Sequence, residues 1–307
     1  MVVRILDKDI KVEGQLIRTA RLDAEKFYFL NDPEPLLEGL RKCGARIDIF
    51  TFLEKITGSS EGSPESSPKF AYQMEWDNLA VLPVSTFDHW WTQQIGFKAR
   101  NKAKQADKKR VAVREVPFND ALVTGIWEVY NECPVRQGKP FWHYGKDVET
   151  VRKLEATYLD SSIFIGAFFE DKLIGFIKLV TDESQTQAGL MNIVSMVQHR
   201  DKAPTNALIA QAVRSCADRS IRHLVYSNFA YGKKQRDSLS DFKERNGFMR
   251  NNVPRYYVPL TRLGRAALSL GLHHKLVDRI PESIVTKGRE FRNSWYNRKL
   301  RTSDEGS

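Results

Sequence analysis

The chain has 307 residues, 41% hydrophobic and 28% charged, the balance of an ordinary soluble globular protein and not of a disordered or fibrous one. A net charge of +10 with a pI near 9.4 points to anionic partners, but lysine and arginine are spread so widely that phosphate-bearing ligands, nucleic acid and a membrane surface are equally served. No run reaches the roughly 18 apolar residues of a transmembrane helix, and Met1 to Asp7 opens no cleavable apolar stretch, so a cytoplasmic location is expected.

In chain order, residues 2–6 and 9–13 alternate as short strands, and Gly14 turns the chain into a third, Gln15 to Leu22. Pro33 to Lys42 reads as a helix, with Asp32 as cap, Pro33 at the first position and Gly44 beyond its end. Ile47 to Ile56 is apolar and allows a strand running into a short helix without requiring it. Thr57 to Pro68 is almost entirely serine, glycine, proline and glutamate, the composition of a flexible surface loop. Strand character returns over Phe70 to Leu82. Residues 1–84 thus read as a reduced α/β half-domain.

Thr86 to Lys109 has a helical period, with Phe87, Trp90, Trp91, Ile95 and Phe97 on one face. It ends in a run of cations, Lys98, Arg100, Lys102, Lys104, Lys108 and Lys109, relieved by the one acid Asp107. Such a run is either a solvated face or a surface for polyphosphate or an RNA backbone. A strand over Val111 to Val116 and an amphipathic helix over Asp120 to Tyr130 lead to the densest polar cluster of the chain, Asn131 to Lys146. Its two prolines and two glycines mark a rigid loop that would hold Arg136, Gln137, Lys139, His143 and Tyr144 in place to bind a substrate; the alternative is a loop that caps the core through Phe141 and Trp142.

Ser161 to Val180 contains two β-branched and aromatic runs separated by Glu170-Asp171-Lys172, a hairpin signature. A third run, Gly189 to Val197, feeds the basic turn Gln198 to Asn206 and then a helix from Ala207 to Ser220. That helix has its apolar face on Leu208, Ile209, Ala212, Val213, Cys216 and Ala217, with Thr205 or Asn206 as cap. A strand that delivers the chain into a helix N-terminus presents free amides to an anion, and Arg200 and Lys202 reinforce it. A fourth run, His223 to Phe229, precedes a short helix stopped at Asn246-Gly247-Phe248, and Asn251 to Leu260 reads as a closing edge strand beside it.

This succession of hairpin, strand, cation-rich turn, helix, strand and terminal Asn246-Gly247-Phe248 resembles the core of the GNAT acyltransferase superfamily. The Phe242-Lys243 pair before Gly247, and the basic Arg100 to Ala106 segment followed by Val111-Ala112-Val113, resemble its FemAB-like branch, over about residues 85–260. The resemblance implies an α/β (α+β) fold, a mixed and mostly antiparallel sheet flanked by helices, and transfer of an acyl or aminoacyl group to an amine of a phosphate-bearing acceptor. The alternative is a non-catalytic relative that holds RNA or an anionic membrane.

By the same resemblance Arg200, Lys202, Thr205 and Asn206 would bind the donor, Arg136 the acceptor, and Lys243 the donor phosphate or the tetrahedral intermediate. GNAT enzymes grip the coenzyme A pyrophosphate through glycines in the turn before this helix. Gln198 to Asn206 has none, and Pro204 removes an amide, so aminoacyl-tRNA gains weight against acetyl-CoA or another acyl-CoA. Glu132 and Asp201 are the candidates for a base, each with an alternative role as a cap or ion-pair partner.

Leu263 to Val277 reads as a helix, and the tail over 287–301, basic with aromatics, either lies on an anionic bilayer or RNA or docks as a helix; 261–307 is expected to be a helical tail. Gly232-Lys233-Lys234 lacks the spacing of a nucleotide loop. Cys43, Cys133 and Cys216 suggest neither a disulfide framework nor a zinc site, and Cys216 is expected to be a small buried hydrophobe. Of six histidines only His273 and His274 adjoin, and they are expected to point apart, so no metal site is anticipated.

Overall fold

Period-two apolar runs recur along almost the whole chain, and each buries a face only by pairing with the next, so the molecule is organised as one sheet. A computed structural model describes residues 1–274 except 7, 26–29, 31, 57–68, 137 and 231–237. The expected 57–68 loop, Gln137, Gly232 to Lys234 and the 287–301 tail therefore lie outside the described residues, as does the end of the helix expected to reach Val277.

The elements in chain order are β1 (Val2–Ile5), β2 (Lys8–Glu13), β3 (Thr19–Leu22), α1 (Glu34–Lys42), β4 (Ile49–Leu53), β5 (Gln73–Pro83), α2 (Phe87–His89), α3 (Phe97–Lys108), β6 (Ala112–Val116) and α4 (Asp120–Asn131). There follow β7 (Val135–Arg136), β8 (Lys139–Pro140), α5 (Val148–Glu155), β9 (Ser162–Phe169), β10 (Lys172–Thr181), β11 (Gln187–Ser195), α6 (Pro204–Asp218), β12 (His223–Asn228), α7 (Ser238–Arg245), β13 (Met249–Pro259) and α8 (Arg262–Ser269). Eleven strands form one sheet in the order β1-β2-β3-β4-β13-β5-β12-β11-β10-β9-β6, and β7 and β8 form a small hairpin. The junctions β3/β4 and β11/β12 are parallel and the others antiparallel. Each parallel pair is joined through a helix, α1 or α6, because strands that run the same way need a crossover. The sheet is thus mixed, mostly antiparallel and flanked by helices, as expected.

The strand read as a closing edge is an interior one. β13 lies between β4 and β5, while β12 has β5 and β11 as neighbours. Proline is tolerated inside the sheet because the Pro254 carbonyl accepts from the Glu54 N–H at 2.9 Å. Its missing N–H therefore points the same way, past the end of β4, whose pairing begins at Arg255 with Leu53.

The helix expected over Thr86 to Lys109 is broken. Thr86 caps α2, a π-turn runs from Trp90 to Gln94, and Ile95 is extended before α3 begins. The break lets wholly buried Trp90 donate its ring N–H to the Asn246 carbonyl at 2.9 Å and frees the Gly96 N–H to bind the Arg245 carbonyl at 2.8 Å. Phe97, expected on the buried face, is 73% exposed beyond it. Gly247 ends α7 in the left-handed region at φ +86°, where a Cβ would meet the Gln94 carbonyl oxygen at 3.2 Å.

α6 starts earlier than expected. Ala203, left-handed at φ 53°, precedes Pro204 in the first turn, and neither Thr205 nor Asn206 is the cap. Its buried face includes Leu208, Ile209, Ala212, Val213 and Cys216, whose thiol burial pushes up to about 12, so it packs as an inert hydrophobe. After α8, His273 and His274 do not point apart: their rings lie 4.0 Å apart and face the same carboxylate, Glu75. Among the described residues no helix is long and apolar enough to cross a membrane.

Candidate functional site

The sheet opens between β11 and β12. They pair only over Gln187–Gly189 with His223–Val225. Beyond that, β11 stays with β10 as far as Ser195 opposite Gly175, whereas the pairing of β12 with β5 shifts register between Val225 and Asn228. The two strands part, and among the described residues the edge of β11 past Gly189 has no strand beside it on that side. A cleft of about 640 Å³ fills the wedge. Its walls are Ile193 to Ser195 of β11 with Met196 just beyond it, the Arg200 and Ala203–Asn206 stretch entering α6, Tyr226 of β12, Leu239 and Phe242 of α7, Arg136 and Phe141 from the β7–β8 region, and Lys102 of α3.

Three of these walls carry cations, Lys102, Arg136 and Arg200, and no carboxylate is among the described lining residues. Arg136 donates to the Ser195 carbonyl at 2.6 Å and the Val129 carbonyl at 2.8 Å, and its guanidinium lies 4.4 Å from the centre of the Phe141 ring. Burial draws its pKa down, against the pull of Glu132. The turn before α6 is a 3₁₀ helix, Val197–Lys202, whose first amides are taken: Glu132 accepts from the N–H of Val197 at 3.1 Å and of Gln198 at 2.9 Å, and meets Arg136 at 3.4 Å. At the start of α6, Pro204 has no N–H, and the amides of Asn206 and Ala207 return to the Ala203 carbonyl. Among the described residues the Thr205 amide has no main-chain acceptor, and it stands beside a Thr205–Ser195 hydroxyl pair 2.8 Å apart.

No family model matches the sequence, and no curated protein does either. Solved structures do align along most of the chain. The C-terminal domain (DUF2156) of a protein assigned as a lysylphosphatidylglycerol synthetase of Agrobacterium fabrum matches with a TM-score of 0.54 at 13% identity, covering 88% of this chain and 86% of that one. L-PGS from Bacillus licheniformis matches at TM-score 0.52 and 12% identity, with 83% of each chain covered. FemX matches at TM-score 0.55 and 10% identity over 80% of this chain and 83% of that one. The fold is GNAT-like, of the FemAB-like form. At these identities the likeness speaks for the fold alone.

Within this FemAB-like fold, the residues singled out in the sequence separate into those at the wedge and those away from it. Arg136, Arg200, Thr205 and Asn206 line the cleft. Lys202 turns away, with its ammonium 4.5 Å from the centre of the Phe169 ring and 3.6 Å from Asp201. Asp201 is exposed and pairs with Lys109 at 2.8 Å, a contact that holds its carboxyl below the usual range. Glu132 is close to the cleft, but its oxygens cap the 3₁₀ turn. Both base candidates thus occupy their alternative roles, cap and ion pair. Lys243 is fully buried, donates to the Asn228 carbonyl and lies 4.8 Å from the centre of the ring of Tyr226, so it backs the cleft wall and does not line it.

The two ends of the 131–146 segment are tied together by hydrogen bonds. Trp127 and Asn131 both donate to the Lys146 carbonyl, at 2.9 and 3.3 Å, and Asn131 accepts from the Gly145 N–H at 2.8 Å. Lys139 and Tyr144 are exposed and outside the lining, and Gln137 lies outside the described residues. His143 stacks on Tyr130 with centroids 4.1 Å apart; burial, with Lys146 and Arg136 adding, lowers its pKa to about 4, so it is neutral at pH 7.

Sequence reasoning missed α5 and the buried network behind Phe141. Glu155, at the end of α5, accepts from the Tyr130 hydroxyl at 2.7 Å and from the Asn192 amide at 3.0 Å. Lys178 donates to the carbonyls of Glu155 and Thr157 at 2.7 and 2.6 Å, and burial lowers its pKa to about 8. Burial raises the carboxyl pKa of Glu155. The available signal was Lys178 itself: a lysine inside the apolar run from Gly175 to Val180 must find buried acceptors. This network fixes Asn192 in β11, one residue before the cleft-lining stretch begins.

Proposed function

We propose that the chain is an acyltransferase that binds a phosphate-bearing acyl or aminoacyl donor in the β11–β12 wedge and transfers the group to an amine of a second, phosphate-bearing molecule. The observation that carries the reading is the wedge itself. A strand edge without a neighbour is joined there by Lys102, Arg136 and Arg200 in a cleft with no described carboxylate, which suits an anion with an extended tail. Main-chain N–H groups along β11, where the described strands leave its edge open, are suited to hold an acyl carbonyl and stabilise the negative charge that develops on its oxygen when an amine attacks. With Glu132 and Asp201 engaged elsewhere, the acceptor amine would enter as the free base.

Among donors we favour aminoacyl-tRNA over acyl-CoA. A pyrophosphate grip needs several convergent amides, and among the described residues the entry to α6 offers the Thr205 amide alone. Side-chain cations continue instead from Lys102 along the exposed Lys98 of α3, a path for a longer phosphate chain. The name of one fold neighbour, lysylphosphatidylglycerol synthetase, adds phosphatidylglycerol, which offers a glycerol hydroxyl and no amine, as a second kind of acceptor to test.

The test incubates the full chain with acetyl-CoA or with charged tRNA, each against amino-sugar nucleotides and phosphatidylglycerol vesicles, and reads products by mass spectrometry. A new acyl or aminoacyl adduct is expected with tRNA, lost in Arg200→Ala. Unchanged acceptors in every combination, with RNA or vesicles still retained by the protein, would support the non-catalytic binder instead.

A further inference from the structure

Outside the cleft, one side-chain cluster draws together residues far apart in sequence. Glu75 lies on β5 and faces Arg255 across the strand pair, with Tyr257 two residues farther along β13 on the same face. α8 packs onto that face through Ala267 and Leu268 beside Tyr257, and the turn that follows brings back His273 and His274. Both imidazole Nε2 atoms approach one oxygen, Glu75 Oε1, at 3.0 and 3.2 Å. Arg255, the nearest guanidinium, is committed to Glu25 and Asp77, so Glu75 takes no Lys or Arg partner among the described residues. The Tyr257 ring lies on the same side, its centroid 4.7 Å from that of His273.

We propose that Glu75, His273 and His274 form a binding site for a divalent transition-metal ion, zinc by preference, which fastens the chain leaving α8 to the sheet. The three donor atoms all lie within 4.8 Å of one another. A tetrahedral zinc ion, about 2.0–2.2 Å from each ligand, wants its donors about 3.3 Å apart, close to the two contacts already present. Two imidazoles and one carboxylate are a donor set that suits zinc and neighbouring metals. His273 is buried to 2% exposure, while His274 at 41% and Glu75 at 33% leave the outer side open for a water or a further ligand. Adjacency in the sequence hid the cluster, because consecutive side chains diverge in a regular helix or strand, whereas the non-helical turn after Ser269 lets both rings face inward.

The competing account is that each imidazole carries its proton on Nε2 and the three residues are joined by hydrogen bonds alone. Titration of the full-length, tag-free chain with zinc chloride, and with cobalt(II) chloride followed by its visible ligand-field absorption, separates the two. The site predicts one equivalent of tight binding, a metal-dependent rise in melting temperature, and a cobalt spectrum of low-coordinate nitrogen–oxygen type. All three should disappear in the Glu75→Gln/His274→Ala double variant, whose changes lie at partly exposed positions and leave five histidines in place. Metal binding that is equal in the wild type and the double variant, or absent from both, would overturn the site.

Discussion

Glu132→Gln distinguishes a structural carboxylate from a catalytic one. The wild-type side chain is 13% exposed and spends both oxygens on backbone amides of the 3₁₀ turn, at 3.1 and 2.9 Å, with Arg136 at 3.4 Å. Glutamine keeps one acceptor and sets an NH₂ group against the other amide. A charge-assisted bond falls to a neutral one and a part-buried N–H is left unpaired, together about 2–3 kcal/mol. With an unfolding entropy of about 2.1 cal/mol/K per residue, that corresponds to a loss of about 4 °C in melting temperature for a chain of this length. Because the frayed turn carries Arg200, affinity for a phosphate-bearing ligand should fall as well, and Glu132→Asp, which is too short to reach both amides, should behave similarly. Differential scanning fluorimetry with and without ligand reads both effects. An unchanged melting temperature and unchanged ligand affinity together with abolished turnover would refute this assignment and restore Glu132 as the base.

Lys178 predicts a pH dependence on the alkaline side. The folded chain releases this proton near pH 8 and the unfolded chain at 10.5, so between those values the unfolded state holds more protons and stability rises with pH. The rise is about 3 kcal/mol at full extent, and it should be missing from the difference profile of Lys178→Met measured by urea denaturation. A wild-type profile parallel to that of the variant from pH 8 to 10.5 would show that Lys178 is not buried as a cation. On the acid side, His143 should remain neutral until about pH 4 in the folded protein while the unfolded chain takes up its proton at 6.5. Its contribution to stability is complete above 6.5 and is lost as the pH falls toward 4. An NMR titration of the His143 ring with a midpoint at or above 6 would rule out the stacked, desolvated placement against Tyr130.

Local periodicity was enough to place most of the elements. The hairpin within Ser161 to Val180, the helix face on Leu208, Ile209, Ala212, Val213 and Cys216, and the Gly247 stop all follow from the spacing of apolar residues and from backbone geometry that neighbours in the chain decide. The cation-lined entry to α6 was legible for the same reason: a strand, a polar turn and an amphipathic helix are each local patterns. What polar side chains do was not legible. Glu132 looked like a base because its partners lie 65 and 66 residues away, and Lys243 looked like a catalytic cation because nothing nearby in sequence tells of the Tyr226 ring and the Asn228 carbonyl that enclose it. The interior place of β13, the Glu155–Lys178 network and the meeting of Glu75 with His273 and His274 likewise arise from contacts across the sheet. A buried polar group is satisfied by whichever partner the tertiary fold brings to it, so the sequence alone settled where most apolar faces lie, and the assembled sheet settled which polar groups are buried against them and what each binds.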